Sequence, residues 1–472
     1  MGNRIEPHRA AAPIRTLLAL AMPMVLARAA QSVITFADAL QVKHLGSGAL
    51  AATATGGLNV MGFVILPMGM VFIVQSFVSQ LVGRGERAAT RRFAWYGLGI
   101  AAVAAVVSLA LIPALEPVLG LTGYSPGVRD EMAQYMAIRL LSVGAIVGVE
   151  ALGNWYGGLG NTWMQMMAGV VTMVIAVFCN WLLIDGHLGA PALGVAGAAW
   201  ASTIASWVGF ALIALGFARG WGGGRPAATP AVAGAPPSRA AEGGPLSWAE
   251  LRRVVRFGLP NGLNWFLEFA AFQLFVNGVL ASLGDDTVAA LNAVLAVNSI
   301  SFMPAFGLAS AGAILAGQAI GRGEKEAVWA QVKATLLCTM VWMGAIGVVD
   351  IAAPHAVLSL FEEPGKSGQL VAIGTTMLAI SAAWQLFDAV NMTFAETLRA
   401  AGDTTWTAGA RLVLAWFVFT PAAFAVVRWT TSGAVGAIIC LVVYLGILAA
   451  ALALRFRTGR WKAIQLIERT LP

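Results

Sequence analysis

Three of the carboxylates inside long apolar runs of the sequence stand out, because an ionised side chain is costly there and usually has a functional reason to be kept. Glu268 lies midway along its run in "NWFLEFAAF", and its sequence neighbours offer no partner for a charge. Asp388 occupies "WQLFDAVNM", with Trp384 one turn before it and Asn391 after it. Asp38 lies toward the end of the first run. A proton or a bound cation would neutralise such groups, so these positions predict cation coupling.

Each of these positions also has a structural interpretation. For Glu268 the alternative is a structural hydrogen bond to a neighbouring helix, and for Asp38 it is a structural acid near a helix end. The indole ring of Trp384 would either face a bound organic cation or pack as an ordinary core aromatic. The sequence leaves both interpretations of the tryptophan open.

The elements that hold these residues are apolar segments of membrane-spanning length. Of the 472 residues, 59% are hydrophobic and 11% are charged, and the mean hydropathy is +0.79. Continuous runs of about 20 residues or more favour helices over the short alternating strands of a barrel. The sequence therefore predicts an all-α membrane protein with twelve transmembrane helices. Their approximate spans are 14–42, 49–80, 93–115, 131–156, 163–184, 193–217, 257–282, 288–319, 330–352, 371–397, 406–427 and 433–454.

The distribution of charge predicts the orientation in the membrane. Most of the 29 Lys and Arg residues fall at the two termini and in the loops on the same side, whereas the opposite side holds only Lys43, Arg129, Lys366 and Arg428. The positive-inside rule then places both termini in the cytoplasm of a multi-pass protein of the cell (inner) membrane. The net charge of +7 indicates contact with membrane lipids and not with nucleic acid. The first run lacks a cleavage pattern and is expected to remain as a span.

A Pro-, Gly- and Ala-rich stretch divides the chain near its middle. Residues 218–245 cannot bury a core and are predicted to form a flexible cytoplasmic linker. Directly after it, Ser247 and Glu250 have the spacing of a capping box. They open "SWAELRRVVRFG", which we expect to lie on the membrane surface as a basic amphipathic segment before the seventh span.

The stretch "LVGRGERAA" at 81–89 returns as "AIGRGEKEA" at 319–327, and the same register pairs Pro23 with Pro260. A register held over so many residues predicts two parallel six-helix lobes. It also places Gln31 opposite Glu268, which makes Gln31 a candidate for substrate binding. The predicted domains are an N-terminal tail (1–13), an N-lobe (14–217), the linker with its amphipathic segment (218–256), a C-lobe (257–454) and a C-terminal tail (455–472).

Several stretches in a fixed order resemble the multidrug and toxic compound extrusion (MATE) family of transporters. They are "LAMPMVLARAAQSVITFADALQVKHLGSGALAA", both copies of "GRGE", "GGLGNTWMQ", "NWLLIDGHLGAPALGVAGAAWAST", "GLPNGLNWFLEFAAF" and "WQLFDAVNMTFAETLRAAGDTT". Because both Glu268 and Asp388 are present, the chain is similar to the NorM-like branch. The resemblance implies secondary active efflux of organic cations or amphipathic compounds in exchange for inward H⁺ or Na⁺, without a cofactor and without enzymatic chemistry.

The resemblance also implies roles for particular residues. Glu268 and Asp388 would share a cavity in the C-lobe, where hard oxygen ligands suit H⁺ or Na⁺. Asp38 would be the counterpart in the N-lobe, with Asn180 and Thr203 as polar neighbours, and titration of Asp38 would bend or shift the first span. Asn391, Trp384, Gln31 and Thr203 are then the candidates for substrate binding, and we expect the transporter to act as a monomer.

Other interpretations remain at this point. A lipid-linked precursor flippase of the same superfamily would need a more basic cavity, and a major-facilitator carrier shares the plan of six plus six spans. A membrane enzyme is a further class. Arg28, Arg139 and Glu150 are expected to form intramembrane pairs whose partners the sequence does not fix. Arg411, close to the cytoplasmic end of its span, is expected to snorkel toward the interface.

Overall fold

The structure is a computed structural model, and it describes residues 8–120, 126–221, 246–359, 369–430 and 433–467. Most of the predicted linker, at 222–245, lies outside the described residues, as do the ends of both tails.

Helices make up the secondary structure throughout the described ranges, as the composition predicts. Short 3-10 turns join some of them, and two segments, Phe275–Leu280 and Val413–Phe419, are wound as π-helix. The α-helices in chain order are α1 His8–Val42, α2 Ser47–Val71, α3 Ile73–Gly83, α4 Thr90–Leu111, α5 Leu115–Leu119, α6 Pro126–Leu140, α7 Val143–Gly158, α8 Thr162–Asp185, α9 Val195–Ala218, α10 Trp248–Leu274, α11 Asp285–Gly321, α12 Val328–Ala352, α13 Pro354–Leu358, α14 Gln369–Ala401, α15 Thr404–Leu412, α16 Thr420–Trp429 and α17 Gly433–Arg457.

The prediction of twelve spans is confirmed in the part of the chain that the structure describes. Eleven segments are long and apolar enough to cross a membrane, and α6 with α7 adds a twelfth as a bent pair. The sequence predicted this fourth span as one helix over 131–156, which is wrong, because the two helices meet at 42°. The backbone nitrogens of Leu141 and Ser142 bond three residues back, to Ile138 and Arg139, and this tighter winding breaks the α-helical register.

Packing divides the chain into two compact units. The N-unit contains Leu26–Gly262, and the C-unit contains Met1–Val25 together with Leu263–Pro472. The division therefore falls within α1 and within α10, the two helices that open the sequence repeat. The predicted lobes, 14–217 and 257–454, stay a prediction and differ from these units in residues 14–25 and 257–262.

Small residues and an apolar stripe explain where the first parts of α1 and α10 pack. In the C-unit, Leu17, Ala21 and Met24 follow helical spacing and join a buried cluster with residues of α11. In the N-unit, Gly258 and Gly262 stand four residues apart against α2. A Cβ atom at Gly262 would lie 2.4 Å from the carbonyl oxygen of Leu66, so only glycine permits this approach.

The repeated Gly-Arg-Gly-Glu sequence forms the same turn in each unit. Gly85 and Gly323 adopt left-handed φ angles of 81° and 83°. The backbone nitrogens of Glu86 and Glu324 bond to the carbonyls of Leu81 and Ala319, each over 2.9 Å. The matching geometry supports the register read from the sequence, and glycine is favoured at both positions by the positive φ.

The segment "SWAELRRVVRFG" does not form a separate surface element, contrary to our expectation. It is the first part of α10, which continues through Pro260 to Leu274. The capping box is absent as well, because the Ser247 nitrogen donates to the Tyr96 hydroxyl over 2.7 Å. Glu250 instead accepts from that hydroxyl over 2.8 Å and pairs with Arg92 over 3.1 Å. These bonds fix the start of α10 to α4 within the N-unit.

Candidate functional site

In the C-unit, an ion pair joins two membrane-spanning segments at Glu268. Arg411 of α15 donates from Nη1 to Oε2 of Glu268 on α10. The Arg411 side chain is 12% exposed and that of Glu268 is 39% exposed, so the carboxylate keeps access to a surrounding space while the guanidinium is enclosed. The prediction that Arg411 snorkels to the interface is therefore wrong. The prediction relied on the position of Arg411 near the end of its own span, and that position does not reveal a partner on another helix.

Asp388 on α14 lies beside this pair. Its carboxylate interacts electrostatically with Glu268 and Arg411 and forms a hydrogen bond with Asn391, one turn further along the helix. Asn391 also donates from Nδ2 to the carbonyl of Leu445 over 3.2 Å, which fixes the amide between α14 and α17. The structure thus brings together Glu268, Asp388 and Asn391, as the sequence analysis expected.

Tyr444 of α17 completes the cluster and was missed by the sequence analysis. Its hydroxyl lies within electrostatic reach of Glu268, Arg411 and Asp388. The oxygen is buried, yet no other described residue hydrogen-bonds to it. Nothing in the sequence around Tyr444 signals this position, since the residue sits in an uninterrupted apolar run. An oxygen without a partner beside two carboxylates is an available ligand or donor.

The charges of this cluster do not cancel. Two carboxylates face one guanidinium, so the ionised cluster carries one net negative charge in a membrane-spanning region. A proton or a monovalent cation would remove that charge, and the carboxylate, amide and hydroxyl oxygens are the ligands that hard cations prefer.

The N-unit contains a different carboxylate site around Asp38. Asn180 of α8, which is fully buried, donates from Nδ2 to Oδ1 of Asp38. Ser202 of α9 donates to Oδ2 over 3.4 Å. Arg139 of α6 acts on the same carboxylate through space. Asp38 is therefore held by neutral donors and faces one cation, so its ionised form is compensated.

Thr203 does not occupy the predicted position next to Asp38. Its hydroxyl donates to the carbonyl of Ile138 over 3.2 Å and helps to hold α9 against α6. The hydroxyl that reaches Asp38 belongs to the preceding residue, Ser202. Both residues stand in the quoted stretch "WAST", and the sequence alone does not show which of them points toward α1.

The two remaining candidates for substrate binding have different surroundings. Gln31 is exposed on α1 and accepts a hydrogen bond from Nη1 of Arg28 over 3.3 Å. Trp384 is 4% exposed and belongs to the hydrophobic core of the C-unit. Of the two interpretations left open for Trp384, this burial favours the core aromatic.

The structure also fixes the pairing of the other intramembrane charges. Arg28 of α1 binds Glu150 of α7 through both carboxylate oxygens, at 2.9 and 3.1 Å. The two side chains are only 8% and 5% exposed, and the guanidinium lies 5.5 Å from the centre of the Phe72 ring. This two-point geometry neutralises both charges inside the N-unit and leaves Arg139 for Asp38.

Two repeats of six spans, each holding intramembrane carboxylates, are the plan of a multi-pass membrane transporter. The chain belongs to the MatE family, whose model matches residues 23–182 and 263–424. Membership of this family excludes the major-facilitator and membrane-enzyme alternatives.

Individual relatives and solved structures agree with the family. The chain is 30% identical over 412 residues to a probable multidrug resistance protein NorM of Deinococcus radiodurans, covering 86% of this chain and 87% of the relative. It is 27% identical over 407 residues to a protein of the same name from Chromobacterium violaceum, covering 84% and 82%. Its fold is similar to that of a crystal structure of MATE in complex with MaL6, with a TM-score of 0.84 at 20% identity over 96% of this chain and 98% of the other.

Proposed function

We propose that the protein exports organic cations or amphipathic compounds across the membrane in exchange for inward H⁺ or Na⁺. The observation that carries this proposal is the uncompensated negative charge at Glu268, Asp388 and Arg411. Relatives named as probable multidrug resistance proteins support a small-molecule substrate. The excess of one carboxylate over the single guanidinium supplies the reason for coupling to a cation.

The C-unit cluster binds the coupling cation directly. Entry of a proton or Na⁺ neutralises the cluster, and departure of the cation restores one negative charge that an organic cation can compensate. The coupling cation and the organic cation therefore compete for the same negative charge of the cluster. Exchange follows if the cluster has a higher affinity for the coupling cation in one conformation and for the substrate in the other.

Asp38 with Asn180 forms a second site that responds to protonation. A protonated Asp38 donates a hydrogen bond that its ionised form cannot, which changes the bonds that hold α1 to α8 and α9. Gln31 lies two turns before Asp38 on the same helix and is exposed, so it remains a candidate substrate contact. Thr203 and Trp384 would act as packing residues beside the two sites.

Orientation and assembly complete the proposal. The protein lies in the inner membrane with both termini in the cytoplasm, as the arrangement of Lys and Arg along the sequence indicates. Membrane lipids contact its basic side. We further propose that it acts as a monomer.

Transport by purified protein in liposomes tests this function. A fluorescent organic cation is followed while H⁺ and Na⁺ gradients are imposed separately. We expect gradient-driven movement by the wild type and its loss in Glu268→Gln and Asp388→Asn. Asp130→Asn, which changes an exposed acid, is the matched control and is expected to transport normally. Wild-type rates in both cluster variants would contradict the assignment of the site.

A further inference from the structure

A second carboxylate of the C-unit, Asp350, lies in a polar cluster that the proposed transport mechanism does not use. Asp350 is 1% exposed near the end of α12. Gln385 of α14 donates from Nε2 to Oδ2 of Asp350 over 2.7 Å and to Oδ1 of Asn298 on α11 over 2.5 Å. Ser301 donates to Oε1 of Gln385 over 2.9 Å. The four side chains are all at least nine-tenths buried, so the cluster is closed to bulk water.

Asp350 differs from the other deeply buried acids in lacking a basic partner. Within the described ranges, Glu150, Glu396 and Asp403 are the other acids in this burial class, and each binds an arginine. Asp350 instead forms no salt bridge with a described residue and accepts its hydrogen bond from a neutral amide. An ionised carboxylate in this environment would carry an uncompensated charge, which is strongly unfavourable.

The hydrogen bonds of the cluster point to a protonated form. In the present arrangement Nδ2 of Asn298 is buried and has no hydrogen-bond partner among the described residues. An orphaned buried donor is rarer and less favourable than an orphaned acceptor. A half-turn of both carboxamides exchanges their oxygen and nitrogen atoms without moving any neighbour. Oε1 of Gln385 would then accept from Asn298 and from a proton on Asp350, while Nε2 would donate to Ser301. This arrangement gives Nδ2 of Asn298 an acceptor, and it requires a proton on Asp350. It also turns the Ser301 hydroxyl from a donor to Gln385 into an acceptor from Nε2.

The surrounding elements offer few charges that could replace that proton. Beyond its first two residues α11 has no titratable side chain, α12 carries Lys333 near its opposite end, and α13 carries the exposed His355. On α14 the nearest charged residue is Asp388, one turn beyond Gln385, which is itself acidic. Lys366, a further basic residue, lies within 360–368, outside the described residues. The variant Lys366→Gln therefore tests whether it pairs with Asp350.

We propose that Asp350, Gln385, Asn298 and Ser301 form a proton-binding site, in which Asp350 carries the proton and the two amides turn to accommodate it. The site lies one helical turn from Asp388, on the side toward the N-terminal end of α14. Proton binding here does not depend on which substrate is transported or on whether Glu268 and Asp388 bind the coupling cation. Its failure is therefore separate from failure of the proposed function.

Infrared spectroscopy of the full chain in liposomes measures the proton directly. At about pH 6 the wild-type-minus-Asp350→Asn difference spectrum is expected to contain the carbonyl band of a protonated carboxyl group. Gln385→Leu removes the hydrogen-bonding partner and is expected to shift this band, which gives a second readout if Asp350→Asn folds poorly. The exposed acid variant Asp130→Asn is expected to leave the band in place.

Two results would overturn the proton site. One is a wild-type spectrum in which neither Asp350→Asn nor Gln385→Leu changes any protonated-carboxyl band. The other is a band assigned to Asp350 that appears only after Lys366→Gln, because Asp350 would then be ionised in the wild type and paired with that lysine. A wild-type band that is unaffected by Lys366→Gln and lost in Asp350→Asn supports the site.

Discussion

The N-unit and the C-unit differ in the number of basic side chains that compensate the carboxylates of their candidate sites. In the N-unit, Glu150 is bound by Arg28, and Asp38 is held by Asn180 and faces Arg139, so acids and bases are balanced. In the C-unit, Glu268 and Asp388 share one guanidinium, that of Arg411. Asp350 adds a third acid without a basic partner among the described residues.

The two units share a backbone scaffold but differ in their intramembrane charges. The scaffold was duplicated, as the equal turns at Gly85 and Gly323 show, but the charges were not. Gln31 stands in the place of Glu268, and Asp38 stands in the place of Phe275, a fully buried aromatic that packs against Phe419. Among the described residues, the intramembrane carboxylates that outnumber their basic partners lie in the C-unit, which supports our proposal that this unit binds the coupling cation.

The largest expected effect is loss of the balanced pair in the N-unit. Glu150→Gln leaves the Arg28 guanidinium buried without its counter-charge, and we expect it to lower the free energy of unfolding by about 3 to 5 kcal/mol. Chemical denaturation in mixed micelles measures the change. The double variant Arg28→Met/Glu150→Leu removes both charges and should recover most of the loss. Unfolding of Glu150→Gln at the wild-type midpoint would show that the pair is not structural.

Removal of Arg411 is expected to lower the free energy of unfolding by less than Glu150→Gln does, and to make that free energy depend on Na⁺ and pH. Arg411→Met should cost about 2 kcal/mol, less than for a fully enclosed pair because Glu268 is 39% exposed. Since two carboxylates then face each other, added Na⁺ or a lower pH should restore part of the stability. Arg428→Met, at an exposed position near the end of α16, is the control. If neither Na⁺ nor a lower pH changes the free energy of unfolding of Arg411→Met, the two carboxylates of the C-unit do not share this guanidinium as we describe.

The hydrogen bond from the neutral Asn180 amide to Asp38 should contribute less to the free energy of unfolding than either ion pair, Arg28–Glu150 or Arg411–Glu268. Asn180→Leu removes the donor from a buried position, and we expect a loss of about 1 to 2 kcal/mol in the free energy of unfolding. Ser202→Ala, which removes the longer bond of 3.4 Å, should cost less and serves as the comparison within the same site. Equal losses in the two variants would indicate that Asn180 does not hold the carboxylate.

The smallest effect tests the equivalence of the scaffold itself. Gly85→Ala and Gly323→Ala each place a Cβ atom at a left-handed φ in open space, so both should lose about 1 kcal/mol through backbone conformation alone. Gly99→Ala in α4 also meets open space but lies within a helix, and it should be neutral or slightly stabilising. Unequal losses at the two turns would contradict the repeat.

The sequence predicted the features that depend on local pattern. The lengths of the apolar runs predicted the membrane spans. The repeated glycines predicted the two turns, because a positive φ favours glycine whatever the distant parts of the chain do. The three acids were identifiable because a carboxylate inside an apolar run is unusual wherever it occurs. The charge pattern and the resemblance together indicated the class of transporter.

Features that depend on distant partners were missed or misassigned. The capping box at Ser247 is absent because Tyr96, 151 residues away, takes its backbone donor. Arg411 binds Glu268 across 143 positions, a pairing that no local pattern reveals. Asp350 was overlooked because it stands near the end of its run, where an acid usually meets water. Its burial arises from packing against α11 and α14, which sequence spacing does not determine.

The central claim, that the C-unit holds the coupling cation, is tested most directly by comparing Asp388→Asn with Asp38→Asn in the same liposomes. Substrate movement is recorded with an H⁺ gradient, with a Na⁺ gradient and with neither. If the C-unit holds the coupling cation, Asp388→Asn will move substrate at a rate independent of both gradients, whereas Asp38→Asn will be slower than the wild type but still driven by the gradient. Gradient-driven transport that survives in Asp388→Asn and disappears in Asp38→Asn would contradict it.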